Sequence, residues 1–498
     1  MKNNNSNSYR HTLKYAGLFG GVQGLNVLIG LVRNKLVAII LGPAGMGLVS
    51  LYNSVVTLLS TATSMGMSMS GVKNVSEAYD AAPDSSQLAD RVKLVRSLCL
   101  ALAFAGILLC VLFSHVLSQL VFGDSCHKWS FVALAPVVGM TTMMTGELSI
   151  MKGARMLRSI AQISIVNVVA ALIISIPLFY FYGTRGIIPS FLFLTTSQFA
   201  FSLHYSCKRF PWRVSMRMGF LKKGSKILRL GIAFVLAGVF GTGADFLIRQ
   251  FLNQNGSLDA VGLYNAGYML TMVYGGLVFS AMETDFFPRL SAVAPGNIIM
   301  QNDVVNKQIE VSLILISPML TAFITFLPVI VPLLFSHKFI AVISMSQVIV
   351  IAMYLRALRL PMSYIALAKS DSRSFLFLEG MYAVVEYFLV CLMFKSHGLL
   401  GAGYALVLTA VFDFTMLTIY TYYKYRFKLS RGVVRLSLVM LPLGIASYSA
   451  SVLLHGAAYW IVGILLAVLT IIASLFVLHR KTHLMSALKK KIGQKFGR

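Results

Sequence analysis

Residues 457–479 read AAYWIVGILLAVLTIIASLFVLH, twenty-three positions without one Asp, Glu, Lys or Arg. A helix of about 20 apolar residues crosses the hydrocarbon core of a bilayer, so this run is long enough to span it. The same test, with tolerance for isolated charges, predicts fourteen spans. They lie near 13–41, 46–72, 98–122, 129–151, 159–182, 186–205, 230–252, 261–282, 309–335, 340–360, 374–394, 400–423, 436–454 and 457–479. Only 12% of the chain is charged and 57% is apolar, whereas soluble domains carry about 25% charged residues. The expected fold class is therefore an all-α polytopic membrane protein.

A net charge of +27 would suit a nucleic-acid binder if the basic residues shared a soluble face. Here they lie between apolar runs. With the N-terminus in the cytoplasm, 36 of the 43 Lys and Arg fall on inner segments. That count places Arg356 and Arg359 at the inner end of span ten, which they and Pro361 interrupt. Only Lys128, Arg185, Lys338 and Lys395 fall on the outer loops, and Arg33, Lys35 and Arg249 lie within spans. Cytoplasmic enrichment of Lys and Arg orients membrane proteins, so both termini are expected inside and nucleic acid is not an expected partner. The Asn/Ser-rich start, Met1 to Arg10, does not resemble a cleavable signal. Five cysteines form no CxxC motif and no disulfide framework.

The expected organisation is an N-lobe at 1–205 with spans one to six, a basic cytoplasmic linker at 206–229, and a C-lobe at 230–425 with spans seven to twelve. Spans thirteen and fourteen at 426–480 and a basic tail at 481–498 complete it. Phe210, Trp212, Met216, Met218 and Phe220 in the linker, and Leu484, Leu488, Ile492 and Phe496 in the tail, suggest amphipathic helices on an anionic membrane surface.

An internal repeat supports the two lobes. LVRNKLVAIILGPAGMGLVSLYN at 31–53 and LIRQFLNQNGSLDAVGLYN at 247–265 each carry an intramembrane arginine, a short turn, Gly-Leu and Leu-Tyr-Asn. They sit at the starts of successive six-helix blocks. Six being even, both blocks enter the membrane with the same polarity, which makes a parallel pseudo-twofold repeat around a central cavity.

These residues, with Gln23-Gly24-Leu25-Asn26, Arg33-Asn34-Lys35 and the run Leu41 to Leu48, carry a resemblance. The chain resembles the MATE-like (MOP) superfamily, and within it the polysaccharide flippases, the Wzx-type O-antigen and lipid III translocases. The resemblance covers roughly residues 10–425. Fourteen spans depart from the usual twelve of the Wzx pattern and are similar to the lipid II flippase branch. It implies alternating access, no enzymatic activity, a polyprenyl-pyrophosphate-linked oligosaccharide as substrate, and a bacterial inner membrane as the site of action. Membrane lipids and a glycan polymerase machinery are the other implied partners.

Charges inside a membrane are costly and mark function. Arg33 and Arg249 lie toward the outer ends of their spans, against the sidedness of every basic cluster. An anionic lipid pyrophosphate needs such a fixed bidentate donor; Lys35, two residues on, is a further candidate. Snorkelling to the outer interface is the alternative. Asp245, Glu386 and Asp413 lie well within spans of the second lobe. They are candidates for coupling to H⁺ or Na⁺, as the resemblance also implies for carboxylates of one lobe; neutralisation of Arg249 by Asp245 is the plainer reading. Glu147 is expected to pair with Lys152 at the inner end of span four.

No GxxxxGK[ST], HExxH or GxSxG is present, so ATP hydrolysis, a metal centre and serine hydrolysis lack support and no cofactor is expected. A multidrug or cation antiporter would want acidic rather than basic cavity groups. A lipid II-type flippase remains an alternative. A glycan polymerase would need a large catalytic outer loop, and none of the outer loops is large.

Overall fold

A computed structural model describes residues 2–82, 85–217, 224–294 and 296–482. Among them every regular element is helical. In chain order these are α1 (Lys2–Thr63), α2 (Met67–Ala81), α3 (Ser86–Leu112), α4 (Ser114–Phe122), α5 (Lys128–Gly153), α6 (Leu157–Tyr182), α7 (Ile187–Cys207) and α8 (Ser225–Asn255). There follow α9 (Leu258–Tyr268), a π-helical turn (Met269–Tyr274), α10 (Gly276–Ser291), α11 (Ile298–Leu334), α12 (Val342–Ala368), α13 (Ser372–Tyr425), α14 (Arg431–Leu453) and α15 (Gly456–Thr482).

Among the described residues, ten helical stretches are long and apolar enough to cross a membrane. Three of these are double lengths broken at a glycine of positive φ: Gly42 (66°), Gly183 (56°) and Gly398 (57°). With the interrupted span formed by α9, the π turn and α10, each of the fourteen expected segments has a helical counterpart. Gly42 shows why the break falls where it does. Its φ of 66° and ψ of −170° leave the helical region, a conformation that a side chain would strain. Pro43 then opens the new helix, where its missing N–H costs no bond.

The chain packs into two compact units. The first comprises Met1–Gly262 with Leu334–Lys338, and the second Leu263–Leu333 with Phe339–Arg498. Helix α8, expected to open the C-lobe, is thus packed with α1 and α2 in the first unit. Small residues make this approach close. A Cβ on Gly66 would run into the backbone of Gly231, and one on Gly231 into the carbonyl of Met65. Gly47 and Gly262, the matched glycines of the repeat, likewise meet backbone to backbone. The Gly/Ser/Met-rich second span therefore serves packing at Gly66 and at Gly71, which faces Ser149.

Three expectations are corrected. The helix of span ten does not end near Arg359: α12 runs through Pro361 to Ala368. One proline removes one helical hydrogen bond, and the buried side chains Tyr354, Ala357, Leu358, Met362 and Ile365 hold the helix on both sides of it. The linker is not a surface helix where it is described. Residues 208–217 are turn and irregular chain, pinned by Arg96 and by Ser97, whose Oγ accepts from the Ser215 N–H at 2.9 Å. Met218 and Phe220, and the tail residues Leu484, Leu488, Ile492 and Phe496, lie outside the described residues.

Glu147 pairs with Arg96 rather than Lys152. Both side chains are 1% exposed, Nε to Oε1 is 2.8 Å and Nη2 to Oε2 is 3.1 Å. Arg96 also donates to the carbonyls of Phe210 (3.0 Å) and Pro211 (2.8 Å) and to Ser206 Oγ (3.0 Å). All five guanidinium N–H groups are thereby used, and Trp212 covers the group at 5.1 Å. A buried charge is tolerated when it is paired and fully hydrogen-bonded, and this one ties the chain after α7 to α3 and α5.

Candidate functional site

In the first unit, the motif at the head of α1 anchors it to α6. Asn26 Nδ2 donates to Ser164 Oγ at 2.7 Å, and two turns later Arg33 Nε donates to Ser175 Oγ at 3.0 Å. Arg33 is half-buried, nine residues before the turn at Gly42, which is about 13 Å of helix. Lys35 is half-buried on the same helix.

Arg249 sits on α8, six residues before its end at Asn255, or about 9 Å. It is 6% exposed. Its Nε donates to Ser50 Oγ at 2.8 Å, so the second arginine of the repeat, like the first, is held by a serine of a neighbouring helix. Its Nη1 meets Asp245 Oδ1 at 2.8 Å and the Asp245 carbonyl at 2.9 Å. Asp245 is more open, with 43% of its side chain exposed. The i,i+4 pairing expected from spacing is present.

In the second unit, Glu386 lies on the first leg of α13 and Asp413 on the second, 8% and 3% exposed. Asp413 forms an ion pair with Arg359 of α12. The Arg359 guanidinium also lies over the Tyr382 ring at 4.9 Å, an attractive placement for a cation. Asp245 belongs to the first unit, and Glu386 and Asp413 belong to the second. Among the described residues no group of three His, Cys, Asp or Glu converges as a metal site.

Sequence reasoning missed Arg356 and Arg359. It placed them at the membrane edge, whereas α12 carries them at its middle, fourteen and seventeen residues after Val342. The signal that could have found them is the apolar run Ile343–Leu367, which continues past Pro361 with no further charge.

Residues 13–294 match the family described as polysaccharide biosynthesis protein. The chain belongs to that family. The matched stretch holds Arg33, Lys35, Asp245 and Arg249, while Arg356, Arg359, Glu386 and Asp413 lie beyond it. No curated protein matches the chain. Among solved structures, it is similar to the lipid II flippase MurJ in an inward closed conformation, with a TM-score of 0.72, 14% identity, and 93% of this chain and 99% of that one covered. It is also similar to an inward-facing multidrug resistance MATE family transporter of the MOP superfamily (TM-score 0.66, 16% identity, 83% and 95% covered). A MOP superfamily transporter from Pyrococcus furiosus follows at 0.52, 14% identity, with 82% and 93% covered. These likenesses show the fold: this member of the polysaccharide biosynthesis protein family is a multi-pass membrane protein of MATE-like architecture.

Proposed function

We propose that the chain is a flippase that carries a polyprenyl-pyrophosphate-linked oligosaccharide, an O-antigen-type repeat unit, from the inner to the outer leaflet of a bacterial cytoplasmic membrane. Two lobes related by a parallel pseudo-twofold, both termini inside, would alternate access around the substrate. The observation that carries the reading is the placement of Arg33 and Arg249 of this polysaccharide biosynthesis family member. Both lie within apolar helices, each positioned by a serine hydroxyl. A permanently ionised fork suits a pyrophosphate, and the cost of holding it in hydrocarbon is offset when the anion arrives. Lys35 adds a point charge on the same helix.

Asp413 and Glu386 supply the coupling site for H⁺ or Na⁺. Arg359 occupies Asp413 in this structure, so cation entry and Arg359 release exchange for each other. Asp245 plays the matching part for Arg249, holding it until the anionic substrate draws it away.

The test is export in cells. Arg33→Ala and Arg249→Ala should each abolish surface display of the glycan at unchanged protein level, and Lys at position 249 should restore it only in part. Full complementation by both Ala variants contradicts the reading.

A further inference from the structure

Arg356 is the fifteenth of the 27 residues of α12, about 21 Å of helix from one end and about 18 Å from the other. An arginine in the middle of an apolar helix calls for compensation. Three residues on and on a neighbouring face, Arg359 has its compensation in Asp413. Arg356 has none of that kind: among the described residues no carboxylate lies within ion-pair distance of it. The acid whose field reaches it, Glu283, is already taken as the acceptor of the Tyr364 hydroxyl at 2.8 Å.

What Arg356 does have is orientation. Its Nη1 donates to the carbonyl of Met272 at 3.3 Å, beside the Met272 sulfur at 3.9 Å. Met272 belongs to the π-helical turn Met269–Tyr274, a widened geometry that recurs at functional sites. The Phe279 ring lies under the guanidinium at 5.4 Å. One edge of the fork is thus held by the π turn and one face by an aromatic ring. The Nε N–H is shielded from solvent and makes no hydrogen bond. That leaves Nε and Nη2, the side-on pair that grips two oxygens of one anion.

We propose that Arg356 is a further anion-binding residue, in the second unit, and that its Nε–Nη2 edge takes two oxygens of the substrate's diphosphate. The charge that Arg359 receives from Asp413 is, for Arg356, delivered by the cargo. The assignment rests on the flippase reading for the identity of the anion, and on the π turn, Phe279 and the unbonded Nε for the site.

Binding to the purified full chain in lipid nanodiscs tests it, with farnesyl diphosphate, inorganic pyrophosphate, glucuronate and farnesol as probes. Wild type should bind both diphosphates and ignore farnesol. Arg356→Gln should weaken diphosphate binding by about tenfold or more while melting, without ligand, near wild type. Arg356→Lys keeps the charge and loses the fork, so it should fall between them; it also gives the answer if the Gln variant does not fold. Farnesyl diphosphate bound as tightly by the Lys and folded Gln variants as by wild type overturns the role of Arg356 and leaves the flippase reading standing. Inorganic pyrophosphate bound through Arg356, with farnesyl diphosphate ignored, upholds the anion site and overturns the lipid-linked substrate. Binding of glucuronate in preference to pyrophosphate overturns the diphosphate assignment.

Discussion

Arg359 and Asp413 form an ion pair inside the second unit, joining the middle of α12 to the second leg of α13. Their side chains are 19% and 4% exposed, so each is the other's main compensation for leaving water. Removing one partner of such a pair strands a buried charge at about 3–5 kcal/mol, whereas removing both costs less. Arg359→Leu should therefore lower the melting temperature of the purified protein sharply, and adding Asp413→Asn should recover much of the loss. Additive losses would mean that the pair is not coupled.

The same residues should govern energy input. Asp413→Asn and Glu386→Gln are expected to leave substrate binding largely intact and to make reconstituted transport insensitive to a pH or Na⁺ gradient. If both neutral variants respond to the gradient as wild type does, the two carboxylates serve packing alone.

Arg96 and Glu147 make a parallel case in the first unit, with the difference that Arg96 also fastens the chain at Phe210 and Pro211. Arg96→Leu should cost about 3–5 kcal/mol and open the Lys208–Arg213 stretch to limited proteolysis. Glu147→Gln, which keeps hydrogen-bond acceptance at one oxygen, should cost less and leave that stretch protected. Equal cleavage of wild type and Arg96→Leu would show that the linker is held by something else.

Asp371 caps α13 in the loop after α12. Its Oδ1 accepts from the Ser374 N–H at 3.2 Å, and its Oδ2 from the Ser374 hydroxyl (2.7 Å), the Tyr425 hydroxyl (2.9 Å) and Lys424 (2.8 Å). The Lys424 hydrogen bond first, then those from Ser374 and Tyr425, hold its carboxyl well below the usual carboxylate range. A depressed carboxyl contributes stability that is complete above its unfolded pKa, about 3.9, and is lost as pH falls toward the folded value. The gap in melting temperature between wild type and Asp371→Asn should be full at neutral pH and shrink below about pH 4. A gap that holds constant into acid would rule out this cap.

Much of this architecture is legible in the sequence because hydrocarbon imposes one rule, length without charge, on every span. The short turns at Gly42, Gly183 and Gly398 fall where the apolar runs meet, and Glu386 and Asp413 stand out as acids amid apolar neighbours. What was not legible is partnership. An arginine near an expected helix end looks the same whether it only orients the chain or closes a buried network, as Arg96 does. Pro361 reads as an end of a span until the packing around it is seen, and that misplaced Arg356 and Arg359. Chain order also does not say which helix packs where: α8 follows the linker yet lies against α1 and α2.

The most direct test of the central claim is translocation by the pure protein. Full-length chain reconstituted into liposomes carrying a polyprenyl-diphosphate oligosaccharide would be challenged with a membrane-impermeant glycan-cleaving enzyme. The account predicts that substrate in the inner leaflet becomes cleavable at a rate set by the amount of protein and by the imposed ion gradient, and that Arg249→Ala removes the effect. Protection of that inner-leaflet pool equal to protein-free liposomes, with protein shown to be folded and inserted, would contradict it.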